Sequence, residues 1–244
     1  MLWQARALRF TAFPAKIADT APEAWWQKVI GDEPDRMEKQ PRQGIIEIRG
    51  RYGAGQVGLR VEPSRIDWLY MPADDTFLQG LLGAFGDCIE MFDSLLQRWF
   101  DSVQLPIMHR VALGSVLRAP VSAREQGYAA LQPLLKSVQI REGVSDFLYQ
   151  INNPTQVTLG DDRYCGINRL TKWSVAAVET LNASFAPSSP MGNVATALDI
   201  FAQIELDINT IPSETTLINA SDLPLLLKKL AKISVSIAES GEPI

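Results

Sequence analysis

The order of elements in this chain can be read twice, and that repetition constrains its fold more than any single motif. Each half runs strand, helix, three strands, long helix, with a break near residues 103–106. The first unit, residues 1–104, opens with LWQARALRFTA at 2–12, where aromatic and aliphatic residues lack helical spacing and predict a strand. Thr20 stands as an N-cap before Pro22 and Glu23, ahead of a short helix through Trp25, Trp26 and Val29 that Gly31 stops. The charged stretch from Asp32 to Gln43 holds Pro34 and Pro41 and predicts a loop. Strands follow near 44–52, 55–62 and 65–71; Val57, Leu59 and Val61 alternate with Gln56, Arg60 and Glu62 in the second of them. Asp74 or Asp75 then caps a helix predicted to reach about Ser102. It carries two adjacent apolar stripes, one through Phe77, Leu81, Cys88, Phe92 and Trp99, the other through Leu78, Leu82, Phe85, Ile89 and Phe100. A helix apolar over that much circumference must be covered on more than its sheet side.

After Pro106 the order restarts in a second unit, residues 105–244. Ile107–Leu117 predicts a strand, and Ser122 with Glu125 has capping-box spacing before a helix through Tyr128, Leu131 and Leu135. Strands are expected at about 145–152, 164–178 and 196–209. Ala183–Asn193 is read as a long loop, and Ser221 is placed as the cap of a final helix that Gly241 stops. The expected fold is therefore α+β: two β-α-β-β-β-α units, an internal duplication packed as one body, with a mostly antiparallel sheet and long helices over one face.

Composition narrows function by exclusion. The formal charge of −5, from 23 basic and 28 acidic residues, gives no concentrated positive face for a phosphate backbone, so nucleic acid is not expected as the main partner. Two widely separated cysteines, Cys88 and Cys165, suit a reducing compartment. Arg6 and Arg9 interrupt the place where a signal peptide needs its apolar core, and Phe77–Phe85 is too short to span a bilayer. These features predict a cytoplasmic protein without a membrane partner.

No motif predicts a catalytic residue, a cofactor or a metal. Gly53-Ala54-Gly55-Gln56-Val57-Gly58 matches the dinucleotide-binding glycine pattern literally, but a strand ending at Pro63 follows where a helix must open. It reads as a glycine-rich hairpin. His109, the single histidine, shares strand parity with Ile107, Val111 and Leu113 and is expected on the core side. Two cysteines and one histidine at these separations make no zinc cluster.

The candidates left are polar positions on strands: Arg110, Arg169, Glu205 and Asp207. Asp199, Gln203, Glu205 and Asp207 share one face of their strand, opposite Ile200, Ile204, Leu206 and Ile208. The solvated side of an antiparallel strand produces that alternation, and so does a cleft lined with acids. Arginine on a sheet can hold an anion in its planar fork or pair with a cross-strand acid. Six tryptophans complete the oddities; Trp25 and Trp26 are adjacent and cannot share one buried side, so one is expected against another element or a partner.

The blocks HRVALGSVL (109–117), DFLYQINN (146–153), INRLTKW (167–173) and IELDIN (204–209) together resemble an uncharacterised, sporadically distributed bacterial protein family of similar length. The likeness covers mainly residues 105–244. It implies a bacterial, cytoplasmic single-chain unit whose role depends on neighbouring gene products, and it transfers no site residue. The expected function is a non-enzymatic interaction or regulatory subunit of a bacterial complex, of the kind found in antiviral defence or toxin control, with a protein partner or a second copy of itself. The alternative is a small-molecule or anion-binding protein, or a cryptic hydrolase, using a cleft between the halves lined by Arg110, Arg169, Glu205 and Asp207.

Overall fold

A computed structural model describes residues 2–16, 21–73, 80–102, 105–159, 163–184, 193–212 and 217–242. The chain is α+β, and its described strands join in one sheet with antiparallel pairing throughout. In chain order the elements are β1 (Gln4–Pro14), α1 (Pro22–Val29), β2 (Arg36–Gln40), β3 (Ile45–Tyr52), β4 (Gly55–Glu62), β5 (Arg65–Met71), β6 (Gly83–Ala84) and α2 (Phe85–Phe100). Then come β7 (Met108–Val121), α3 (Arg124–Leu131), β8 (Leu148–Asn152), β9 (Thr155–Thr158), β10 (Tyr164–Ser184), β11 (Asn193–Thr210) and α4 (Leu223–Ser240). The spatial order is β2-β3-β4-β5-β1-β7-β11-β10-β8, with β6 beside β1 and β9 beside β10.

Registry fixes which side chains share a face. Ile48 stands opposite Leu59, Leu59 opposite Trp68, Trp68 opposite Phe10, Phe10 opposite Leu113 and Leu113 opposite Ile208. All are buried, and this is the face the helices cover. Trp99 of α2 meets Phe10 at 6.1 Å, Trp25 of α1 at 5.7 Å and Trp68 of β5 at 6.0 Å between ring centroids. Edge-on aromatic pairs of this kind add to the area they bury. Trp25 and Trp26 are both buried in different directions: Trp25 against Trp99, Trp26 over Gly50 of β3 with its Nε1 donating to Asp32 O at 3.0 Å. All six tryptophans lie in the core, so the aromatic surplus is consumed within this chain. The two stripes of α2 are likewise covered internally, by β1, α1 and α4.

Several expected boundaries move. The helix expected from Asp74 or Asp75 begins only at Phe85: residues 80–82 are not helical, and Gly83–Ala84 pair with β1 instead, Leu82 N donating to Ala5 O at 2.8 Å. The stretch expected as a loop contains β2, all five residues of which are exposed. The capping box before α4 is Asn219 with Asp222, ahead of a 3₁₀ turn, and not Ser221. Ser122 bonds Gln126 rather than Glu125. Strands β10 and β11 run on to pair Ser184 with Asn193, into the segment expected as a loop. The positions Thr20, Asp74, Asp75, Phe77, Leu78 and residues 185–192 lie outside the described residues. Among those described, no helix is long and apolar enough to cross a membrane.

Candidate functional site

The glycine pattern closes a β-hairpin. Gly53, at φ +55°, sits in the turn between β3 and β4, and a Cβ on Gly55 would stand 2.4 Å from Met71 O. Strand β4 follows, so no helix N-terminus faces a phosphate. His109 is exposed, contrary to its parity. The pairing shifts between Phe13–Arg110 and Pro14–Met108, which sends Met108 into the core and leaves His109 outside, its Nδ1 3.2 Å from Pro14 O.

The face of the sheet away from the helices carries the charge. On its β3–β5 side, Arg60 donates from Nε to Glu62 at 2.7 Å, and Arg65 donates from Nη2 to Asp67 Oδ1 at 3.0 Å. Asp67 is buried and also accepts from Thr11 Oγ1 at 2.5 Å. On the β11–β10 side, Arg118 Nε donates to Gln203 Oε1 at 2.8 Å, Gln203 Nε2 to Glu205 Oε1 at 2.9 Å, and Lys172 Nζ to the same oxygen at 3.0 Å. Asp207 accepts from Asn209 Nδ2 at 3.2 Å, and Asn209 accepts in turn from Asn168 at 3.0 Å.

Between these two paired regions runs a row of arginines on β1 and β7. Arg9 makes no hydrogen bond or ion pair with a described residue, and its Nε is buried without a partner. It lines two hollows on this face, one of about 330 Å³ shared with Arg60 and Asp67, the other of about 410 Å³ shared with Glu205 and Asp207. Arg110 Nε is also buried without a partner, its guanidinium 5.3 Å from the centre of the Phe13 ring. Arg118 lies over Phe201 at 5.0 Å and leaves Nη1 unbonded. Burial lowers the Arg118 pKa, with Glu205 opposing that shift; burial and the neighbouring Arg118 charge lower that of Arg6. Arg9, partly buried and in no ion pair with a described acid, is unfavourably placed in the isolated chain, because its desolvation is not offset.

The four sequence candidates separate. Glu205 and Asp207 share the second hollow, and Arg110 lies on the same face farther along β7. Arg169 stands opposite Ile208, on the helix-covered face, where its Nε donates to Asn153 O at 2.6 Å. Arg9 and Arg118 are not among the sequence candidates, although parity points to both. Arg9 alternates with Leu8 and Phe10, and Arg118 has the parity of Arg110. Among the described residues, no group of three His, Cys, Asp or Glu side chains could hold a metal ion.

No family model matches this chain, and no curated protein matches it either.

Proposed function

We propose that this protein is a non-enzymatic interaction subunit of a bacterial complex that receives an acidic segment of a partner protein on the open face of its sheet. The observation that carries this reading is the central row Arg9, Arg110 and Arg118. Three acids around it are engaged by other cations, Glu62 with Arg60, Asp67 with Arg65 and Glu205 with Lys172, while Asp207 accepts from Asn209. The row keeps buried donors unbonded. Partner carboxylates would bond those donors and balance their charge, and arginine's fork suits them in two-pronged geometry. The two free, buried thiols agree with a reducing, cytoplasmic setting.

The same reading takes the chain as an internal duplication of residues 1–104 and 105–244. The sheet order supports it: β1 and β7 lie side by side at the centre, β5 flanks one and β11 the other, with β4 and β10 next outward. Duplication would widen the open face and place the arginine row along the seam.

Affinity capture from host cells, quantified for the wild-type protein and for Arg9→Glu/Arg118→Glu, tests the proposal. A partner bearing an acidic segment should be recovered by the wild type and reduced about tenfold or more in the variant. Equal recovery of every captured protein by the two would remove it.

A further inference from the structure

A second, separate cluster of cations lies on the other side of the sheet. Helix α4 packs on β7 and β11, and a cleft of about 410 Å³ lies between its later turns and Val157 of β9 and Arg169 of β10. Lys229 and Lys232 reach it from α4, Lys136 from the segment after α3, and Arg169 from β10. None of the four forms an ion pair with a described acid. Ser236 and Ser240 add hydroxyl donors on the same side, while Val157 and Ile233 supply an apolar wall.

Among the described residues, the one carboxylate lining the cleft is unavailable to those cations. Glu242 is 2% exposed and accepts from the backbone N–H groups of Lys136 and Ser137 at 3.1 and 3.0 Å, and from Ser137 Oγ and Tyr149 Oη at 2.8 Å each. Arg169 is held in place: its backbone N–H donates to Asn152 Oδ1 at 3.1 Å and its Nε to Asn153 O at 2.6 Å, so the guanidinium is fixed before any ligand arrives. Four like charges around one small hollow repel each other unless an anion is present.

We infer that the cleft formed by Lys136, Arg169, Lys229 and Lys232 binds a small molecule carrying two or more closely spaced oxyanion charges, with a short apolar part against Val157 and Ile233. Lysine ammonium groups and a pre-set arginine fork suit phosphate and carboxylate alike, and a polyanion balances the excess better than a single charge. The cleft shares no residue with the arginine row of the open face.

Isothermal titration calorimetry at low salt tests it with two probes, pyrophosphate for the phosphoryl source and citrate for the carboxylate source. The wild type should bind at least one of them saturably and one-to-one, the tighter naming the source. Lys229→Ala/Lys232→Ala should weaken that binding about tenfold or more. Neither lysine is buried and alanine favours helix, so this variant should fold as the wild type does, which thermal melting checks. The bound anion should raise Tm in the wild type and lose that effect in the variant. Arg9→Glu/Arg118→Glu should bind the anion unchanged, which separates this site from the open face. No saturation by either probe into the millimolar range, or undiminished binding by Lys229→Ala/Lys232→Ala, would overturn the inference.

Discussion

Arg9 lies along its cross-strand partner Gly114, with Nε and Nη2 each 3.7 Å from the point where a Cβ of Gly114 would stand. The missing side chain leaves a shallow trough at the middle of the sheet, and the arginine rests in it. Alanine at 114 makes an ordinary contact there and should leave stability unchanged or raise it by up to about 1 kcal/mol, since glycine weakens a strand. Leucine should lift Arg9 off the sheet. Thermal melting should then show a folded Gly114→Leu protein, while capture of the partner falls; unchanged capture would mean that the position of Arg9 does not matter.

The glycine hexad, as a hairpin, should respond unevenly to substitution. Gly58→Ala meets nothing closer than 3.8 Å and should be neutral or slightly stabilising. Gly55→Ala forces a Cβ against the backbone oxygen of Met71 and should cost about 1–3 kcal/mol or more in urea unfolding. A nucleotide-binding loop would instead make Gly58 indispensable, so a loss of stability at 58 equal to that at 55 would count against the hairpin.

Glu242 ties the end of α4 to the 134–137 turn and to Tyr149. Burial raises its pKa, yet the hydrogen bonds from Ser137, Tyr149 and Lys136 outweigh that and leave it below its ordinary 4.5. A carboxylate with a depressed folded pKa adds stability that is full at neutral pH and is lost as pH falls through that folded value. Glu242→Gln should therefore cost about 1–3 kcal/mol at neutral pH. The gap from wild type should narrow in acid, measured by urea unfolding at the two pH values. A gap that does not change with pH would show that the charge of Glu242 is not what holds the turn.

Cys88 and Cys165 are buried, and burial pushes both thiols upward, with Asp87 adding to the effect at Cys88. Neither should react with a thiol reagent at mildly alkaline pH until the chain is unfolded, because the thiolate is the reactive form. Mass spectrometry after brief alkylation, with and without urea, reads this directly. Fast modification of the native protein would show that one of these sites opens.

Periodicity made the strands of the first half readable. The expectations 44–52, 55–62 and 65–71 coincide with β3, β4 and β5 because alternation there matches one covered and one open face. It failed where tertiary pairing overrode pattern. Arg36–Gln40 lacks the apolar alternation of a strand, yet the edge of β3 recruits it as one. Leu82 continues the apolar stripe of α2 in sequence but serves a short pairing with β1. The exposure of His109 depends on a register shift opposite Pro14, which no pattern within β7 announces. Of the site, the Glu205–Asp207 face was legible from alternation. The importance of Arg9 was not, because what distinguishes it is the absence of an acid partner among its described neighbours in space.

A partner laid over the arginine row should shield it from chemical modification. Arginine-specific footprinting with phenylglyoxal, performed on the free protein and on the captured complex, tests this most directly. Arg9, Arg110 and Arg118 should become protected in the complex, while Arg124 on α3 stays as reactive as before. Unchanged modification of those three arginines, with protection falling on the helical side, would contradict the proposed docking face.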